Sequence, residues 1–267
     1  MPRLLDFDLD ARVGIEAGRD NVSDKEKFDT ENLQTMMETA VRFLEVNEFD
    51  ISGEPDYSDM ENEKFIEIIE KRLLEGNDVL QNMERVNIEI TFRSAMSGVF
   101  NLKKDEDHRI LVLFFSDESS RTNSIGKESV KKFENLMLYL NCIEGLMVSE
   151  KGLASMIKKE MRNCNIESTL TSKIYNTIFY RDDEFINIVD HILSPKILKI
   201  FRTDKEIDQF RKENPIDITK IPSILSSDPL VKFFRAKVGN IFKFRRVIVN
   251  NDIIPDFEIS FRMVTAS

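Results

Sequence analysis

Six consecutive apolar residues, Ile110-Leu-Val-Leu-Phe-Phe115, stand between the charged stretch Lys103-Lys-Asp-Glu-Asp-His108 and the acidic pair Asp117-Glu118. A run without polar alternation needs cover on both faces, and a strand inside a sheet with helices on each side receives it. The run is far shorter than the roughly 20 residues a bilayer-spanning helix requires. Its surroundings change period in a regular way. Before it, Leu33, Met36, Met37, Ala40, Val41 and Leu44 recur at helical spacing behind Asp29 and Thr30, either of which can cap exposed backbone N–H groups. Phe65, Ile66, Ile69 and Leu73 predict a second amphipathic helix that ends near Gly76-Asn77. Val86, Ile88, Ile90 and Phe92 alternate with Asn87, Glu89 and Thr91, the pattern of a strand with one wet face.

After the apolar run, a helix is expected from Lys127 to Leu140, with Val130, Phe133, Leu136, Met137 and Leu140 inward. A short strand, Gly145-Leu-Met-Val148, and a helix through Leu153, Met156 and Ile157 follow. Strands alternating with helices point to a sheet flanked by helices. Between about 162 and 183 the pattern breaks at Asn163-Cys-Asn165, a Ser/Thr-rich stretch and Arg181-Asp-Asp183. A smaller, well-punctuated unit lies beyond. Thr203 with Glu206 is a capping box for a helix that Asn214-Pro215 closes. Asp217 opens a short helix ending near Leu225, and Asp228-Pro229 opens another from which Leu230, Phe233 and Phe234 face inward. After Gly239, Ile241–Val249 reads as a strand, 250–252 as a turn, and Phe257, Ile259, Phe261 and Met263 as the inward side of a returning strand. The expected fold class is α+β: an acidic extension over 1–28, an N-terminal α/β domain over 29–180, and a small C-terminal mixed α/β domain over 184–267.

Composition adds mainly a charge layout. The chain has 267 residues and a formal net charge of −10. Residues 1–80 hold 22 Asp/Glu against 9 Lys/Arg, while 81–181 and 182–267 are each close to neutral. Asp228 to Val247 carries six cations (Lys232, Arg235, Lys237, Lys243, Arg245, Arg246) against one anion. That stretch suits an acidic partner or nucleic-acid phosphate. Phe242 and Phe244 would pack inward while the alternating cations face out. Without a hydrophobic signal core at the N-terminus, the chain is expected to be soluble and intracellular.

Catalytic chemistry finds little to use. Asp117-Glu118 at a strand end could hold a metal, but a restriction-type nuclease also needs Glu-x-Lys, whose members share a strand face. The nearest candidates, Glu150-Lys151, are adjacent and would point oppositely. His108 reads as a solvated loop residue, and His191, after an apolar strand, as a structural histidine. Cys142 and Cys164 lack the electropositive setting of a reactive thiolate. No Gly-rich phosphate loop occurs. No catalytic residue, cofactor or metal is expected.

The last 84 or so residues resemble the fifth-largest subunit of eukaryotic RNA polymerases, a family whose archaeal counterpart lacks the N-terminal domain. His191-Ile-Leu-Ser-Pro195-Lys196 is similar to the family's His-x-Leu-x-Pro-Lys. Ile221-Pro222-Ser-Ile224-Leu-Ser-Ser-Asp228-Pro229 is similar to its Leu-Pro-x-Ile-x-x-x-Asp-Pro. Ala236-Lys237-Val-Gly239-Asn-Ile241-Phe-Lys243-Phe-Arg245 resembles its Lys-x-Gly-x-Val-x-Lys-Ile-x-Arg strand, and Phe261-Arg262-Met-Val264 its closing Tyr-Arg and two apolar residues. Over roughly 30–180 the likeness is one of pattern only. It departs at Ile197, where the family has His, at residues 1–28, at 249–257 and in the absence of Trp. These departures favour a divergent, viral member.

The resemblance implies a non-catalytic subunit of a multisubunit DNA-directed RNA polymerase, acting in DNA-templated transcription. Its C-terminal assembly domain would dock on the largest subunit. Its N-terminal domain would form a nuclease-like lower jaw near downstream DNA. Residues expected at the docking face or near DNA are His191, Pro195, Lys196, Pro222, Asp228, Pro229, Lys232, Arg235, Gly239, Lys243, Arg245 and Arg262. No membrane contact or homo-oligomer is expected. The compartment would be the nucleus for a cellular polymerase, or host cytoplasm or virion for a viral one. A metal-dependent nuclease-fold enzyme and a free-standing interaction adaptor are the alternatives.

Overall fold

The computed structural model describes residues 24–116, 124–157, 176–188, 196–214, 217–248 and 256–266. The fold is α+β, with two four-stranded sheets. Helix α1 (Asp24–Val46) begins earlier than Asp29 and lays Met36, Met37, Ala40, Phe43 and Leu44 into the main core. Helix α2 (Asn62–Glu75) buries Phe65 and Ile69 and ends at Gly76. Asn77 then accepts from the Leu80 N–H at 2.9 Å and starts α3 (Asp78–Arg85), a helix the hydrophobic pattern did not announce.

The strand expected over Val86–Phe92 does not form. The N–H groups of Val86, Asn87 and Ile88 turn back onto the carbonyls of Met83 and Glu84, with Asn87 in the left-handed region at φ 58°. Those donors terminate α3 and are lost to any ladder. Val86 and Ile88 are buried all the same. The alternation recorded burial but not the backbone state. A 3-10 turn at Arg93–Met96 leads into β1 (Gly98–Leu102), an edge strand antiparallel to β2 (Asp105–Phe115).

The apolar run forms the inner half of β2, and Ile110–Phe115 is buried throughout. β2 runs parallel to β4 (Glu144–Ser149), and β4 parallel to β6 (Asn176–Arg181), giving the order β1-β2-β4-β6. Helix α4 (Lys127–Tyr139) covers this sheet through Phe133, Leu136 and Met137. The contact is close: a Cβ on Gly145 would lie 2.6 Å from the Phe133 ring and 2.7 Å from the Met137 sulfur. A two-stranded ribbon pairs β3 (Ser124–Ile125) with β5 (Gly152–Leu153). Leu153 is therefore in a strand, and helix follows it at residues 155–157.

β6 occupies sequence that reads as an interruption, and Arg181-Asp-Asp183 opens α5 (Asp182–Ile186). Phe185 and Ile186, in the apolar stretch before His191, are thus helical where a strand was expected. Three acids in its first turn favour the helix N-terminus. His191, Pro195, Asp117, Glu118 and Cys164 lie outside the described residues, as does the extension over 1–23.

The second sheet has the order β7-β9-β10-β8, from β7 (Lys196–Phe201), β8 (Ser223–Leu225), β9 (Ile241–Ile248) and β10 (Asp256–Thr265). Helix α6 (Asp204–Glu213) carries the expected capping box, in which Glu206 accepts from the N–H groups of Arg202 at 2.9 Å and Thr203 at 3.1 Å. Those donors hold the Glu206 carboxyl below the usual carboxylate range. The helix expected after Asp217 shrinks to a 3-10 turn, Ile218–Lys220. Pro222 cannot donate a helical hydrogen bond, and Ser223–Leu225 pairs in parallel with Met263–Thr265. α7 (Pro229–Phe233) starts where expected, with Asp228 Oδ1 accepting from the Leu230 N–H at 2.9 Å.

This sheet carries a small core on each face. Leu230, Val231, Phe242, Phe244 and Val264 form one, and Phe201, Phe210, Ile221 and Ile241 the other, joined by Phe261 and Met263. Phe242 and Phe244 face inward as expected. Ile259 does not: it is 44% exposed.

Candidate functional site

The six cations from Lys232 to Arg246 do not form one surface. Lys232 and Arg235 turn inward, against residues of the first sheet. Phe233 on α7 is fully buried in the main core, meeting Phe43 of α1 edge to face at 5.6 Å. Phe234 continues the aromatic contacts to Phe242 at 6.2 Å. Around this plug, Asn47 Nδ2 donates to the Phe233 carbonyl at 3.0 Å. The Tyr180 hydroxyl donates to the Pro229 carbonyl at 3.0 Å, and burial pushes that phenol well above its ordinary pKa. Lys232 Nζ donates to the Phe179 carbonyl at 3.0 Å and lies 4.3 Å from the centre of the Tyr180 ring.

Arg235 completes this seam. The N–H groups of Arg235 and Ala236 bond to the carbonyls of Lys232 and Val231, the pattern that ends a helix with a left-handed residue. Glycine usually takes that position; here Arg235 does, at φ 50°. Its guanidinium donates to Glu144 and lies over the Phe49 ring at 6.0 Å. Glu144 opens β4, is only 5% exposed, and also meets His108 Nε2 at 2.8 Å. His108 is therefore a strand residue bound to a buried carboxylate, not a solvated loop residue. Neither Glu144 nor Asn47 stood out in the sequence, because an isolated Glu at a strand start carries no spacing signal. A second internal pair, Arg93 with Asp182, ties the 3-10 turn to α5. Arg202 donates to the Phe234 carbonyl at 2.8 Å, and burial, then the Arg235 charge, lowers its pKa.

Lys243, Arg245 and Arg246 lie on β9 of the second sheet, and Lys237 stands in the turn before it. Register sets Lys196 opposite Arg245 and Lys199 opposite Lys243. All four share the face that, one row further, carries Phe201 and Ile241. Arg262 pairs with Phe242 in register and so belongs to the opposite face. Gly239 takes φ 92°, and its N–H bonds to the Val264 carbonyl at 2.9 Å; Asn240 secures the turn by accepting from the Lys237 N–H. Pro222, Asp228 and Pro229 set the entries to β8 and α7 rather than offering charge.

Little of this geometry suits bond-making chemistry. Among the described residues, no three His, Cys, Asp or Glu side chains gather as metal ligands. Cys142 is buried, which pushes its thiol up to about 11. An open cleft of about 530 Å³ beside β1 contains Arg72 and Arg109, but Arg72 is bound to Glu54 at 2.6 Å and Arg109 to the Leu140 carbonyl at 3.0 Å. Among the described residues, no helix is long and apolar enough to cross a membrane.

Residues 186–254, which supply α7, the Gly239 turn, β7 and β9, match the family described as RNA polymerase Rpb5, C-terminal domain. The likeness to that family is carried by this stretch, about a quarter of the chain. It is also 22% identical over 114 residues to DNA-directed RNA polymerases IV and V subunit 5B of Arabidopsis thaliana. That alignment takes in 43% of this chain and 50% of the relative, so the chain spans about half the length of the curated relative it matches. The matched region contains both sets of cations, those at the seam and those on the second sheet.

Proposed function

We propose that this chain is a non-catalytic subunit of a multisubunit DNA-directed RNA polymerase. Residues 184–267 serve as the assembly domain and dock on the largest subunit. Residues 29–180 form a nuclease-like jaw domain near downstream DNA, with 1–28 as an acidic extension. The observation that carries this reading is the Rpb5-family match over the sheet and helix that present Lys243, Arg245 and the Asp228-Pro229 entry. The seam supports it further, since a jaw must be fixed to the domain that docks. The diverged motifs favour a viral polymerase, in host cytoplasm or virion; a cellular one would place the chain in the nucleus.

The test is a native pull-down with quantitative mass spectrometry. The two largest polymerase chains should come down with this protein in stoichiometric amounts. A complete polymerase preparation lacking it would sink the proposal. Mg²⁺-dependent DNA cleavage lost in Asp117→Asn would replace it with a nuclease.

A further inference from the structure

We infer that the cationic half of the β7–β9 face docks an acidic segment of a partner protein that also carries aliphatic residues. The inference rests on the polymerase reading only for its setting, a partner protein within a complex. Two neighbouring rows, Lys196 with Arg245 and Lys199 with Lys243, place like charges directly opposite one another. Such pairs are destabilising within a sheet. Lys199 has a counter-charge within the chain, since Glu206 lies 3.7 Å away. Lys196 and Lys243 have no ion pair with any described residue. The next row on the same face is apolar and buried under α6, so the charge is confined to one end of the sheet.

Three features select the occupant. The rows lie about 7 Å apart along a strand. Carboxylates at alternate residues of an extended segment have the same spacing. Ile259, opposite Arg245 on the same face and 44% exposed, offers an aliphatic contact beside the cations. The face gives a base little to stack on, because Phe201 is buried and the half-buried Phe261, opposite Lys243, packs edge to face on Phe210 at 5.0 Å. A phosphate backbone would use the charge and ignore Ile259. An acidic-aliphatic peptide uses both.

The probe is a short fluorescent peptide alternating Asp and Leu, titrated against the full chain by anisotropy. Lys196→Glu with Lys243→Glu should weaken binding by about tenfold or more, and Ile259→Ser by about threefold. The milder pair Lys196→Gln with Lys243→Gln gives the same direction should the reversed pair fold poorly. No binding by the wild type, or unchanged binding by both lysine pairs, overturns the inference. So does duplex DNA binding as tightly as the peptide with Ile259→Ser indifferent to both, which assigns the face to phosphate. The pull-down above separates the two proposals. Peptide binding without polymerase chains leaves the face and removes the polymerase reading; polymerase chains without peptide binding do the reverse.

Discussion

Arg235 and Arg245 are ten residues apart in one basic stretch, yet they have opposite surroundings. Arg235 is turned into the molecule, bound to a buried carboxylate and an aromatic ring. Arg245 lies across from another cation on an outward sheet face. What separates them is backbone state. Arg235 stands just past a five-residue helix whose Phe233 is driven into the main core, so the chain delivers it to Glu144. Arg245 stands in a strand whose alternate residues, Phe242 and Phe244, fix which way the others point. A count of charges along a sequence cannot tell a fastening from a docking surface; the apolar residues beside each charge can.

Substitutions at the two places should therefore differ sharply in cost. The largest loss is expected for Phe233→Ala, which empties a fully buried ring site and should cost about 3–5 kcal/mol by denaturant unfolding. Glu144→Ala comes next. It strands Arg235 and His108 beside an apolar wall, and because Arg235 keeps part of its solvent contact the loss should be near the low end for a broken buried pair, about 3 kcal/mol. If Glu144→Ala melts like the wild type, the seam is not a fastening and the contrast with Arg245 collapses.

The seam is also where sequence reading failed most. The faces of α1, α2 and α4, the buried run of β2, the capping box at Thr203 and the Asp228-Pro229 helix start were all legible, because each rests on a local period or on one residue's own chemistry. Glu144, His108, Asn47 and Phe43 were not. Each acts on a partner far along the chain, such as Asn47 on Phe233. Val86–Phe92 failed for a different reason. Its alternation is real in burial, but the left-handed turn at Asn87 commits the backbone donors to ending a helix. Of the expected docking residues, Lys243 and Arg245 share a face by the alternation already legible in the sequence, whereas Lys196 joins them only through strand register, which the sequence does not state.

Arg235 allows a finer test, because two effects of opposite sign meet in one residue. Arg235→Ala loses the Glu144 contact and keeps the left-handed strain. Arg235→Gly loses the same contact and relieves the strain, so it should be the more stable of the two by about 1 kcal/mol. Equal melting of the two variants would mean that the helix end relaxes freely and that Arg235 is not held in place. Asp228→Ala should cost a similar amount, about 1 kcal/mol, by removing the cap on the Leu230 N–H.

The smallest effect is expected on the outer face, and its sign is the informative part. Lys243→Ala removes a cation that stands opposite Lys199 and makes no ion pair with any described residue. Stability should change by less than about 0.5 kcal/mol, and toward stabilisation, because a like-charge pair disappears. The gain should shrink at high salt, where screening already weakens that repulsion. A loss of about 2 kcal/mol or more, on the order of a broken buried pair, would mean that Lys243 fastens the fold as Arg235 does. A residue that costs the isolated chain stability is one whose use lies outside the chain, and Lys243 meets that condition where Arg235 fails it.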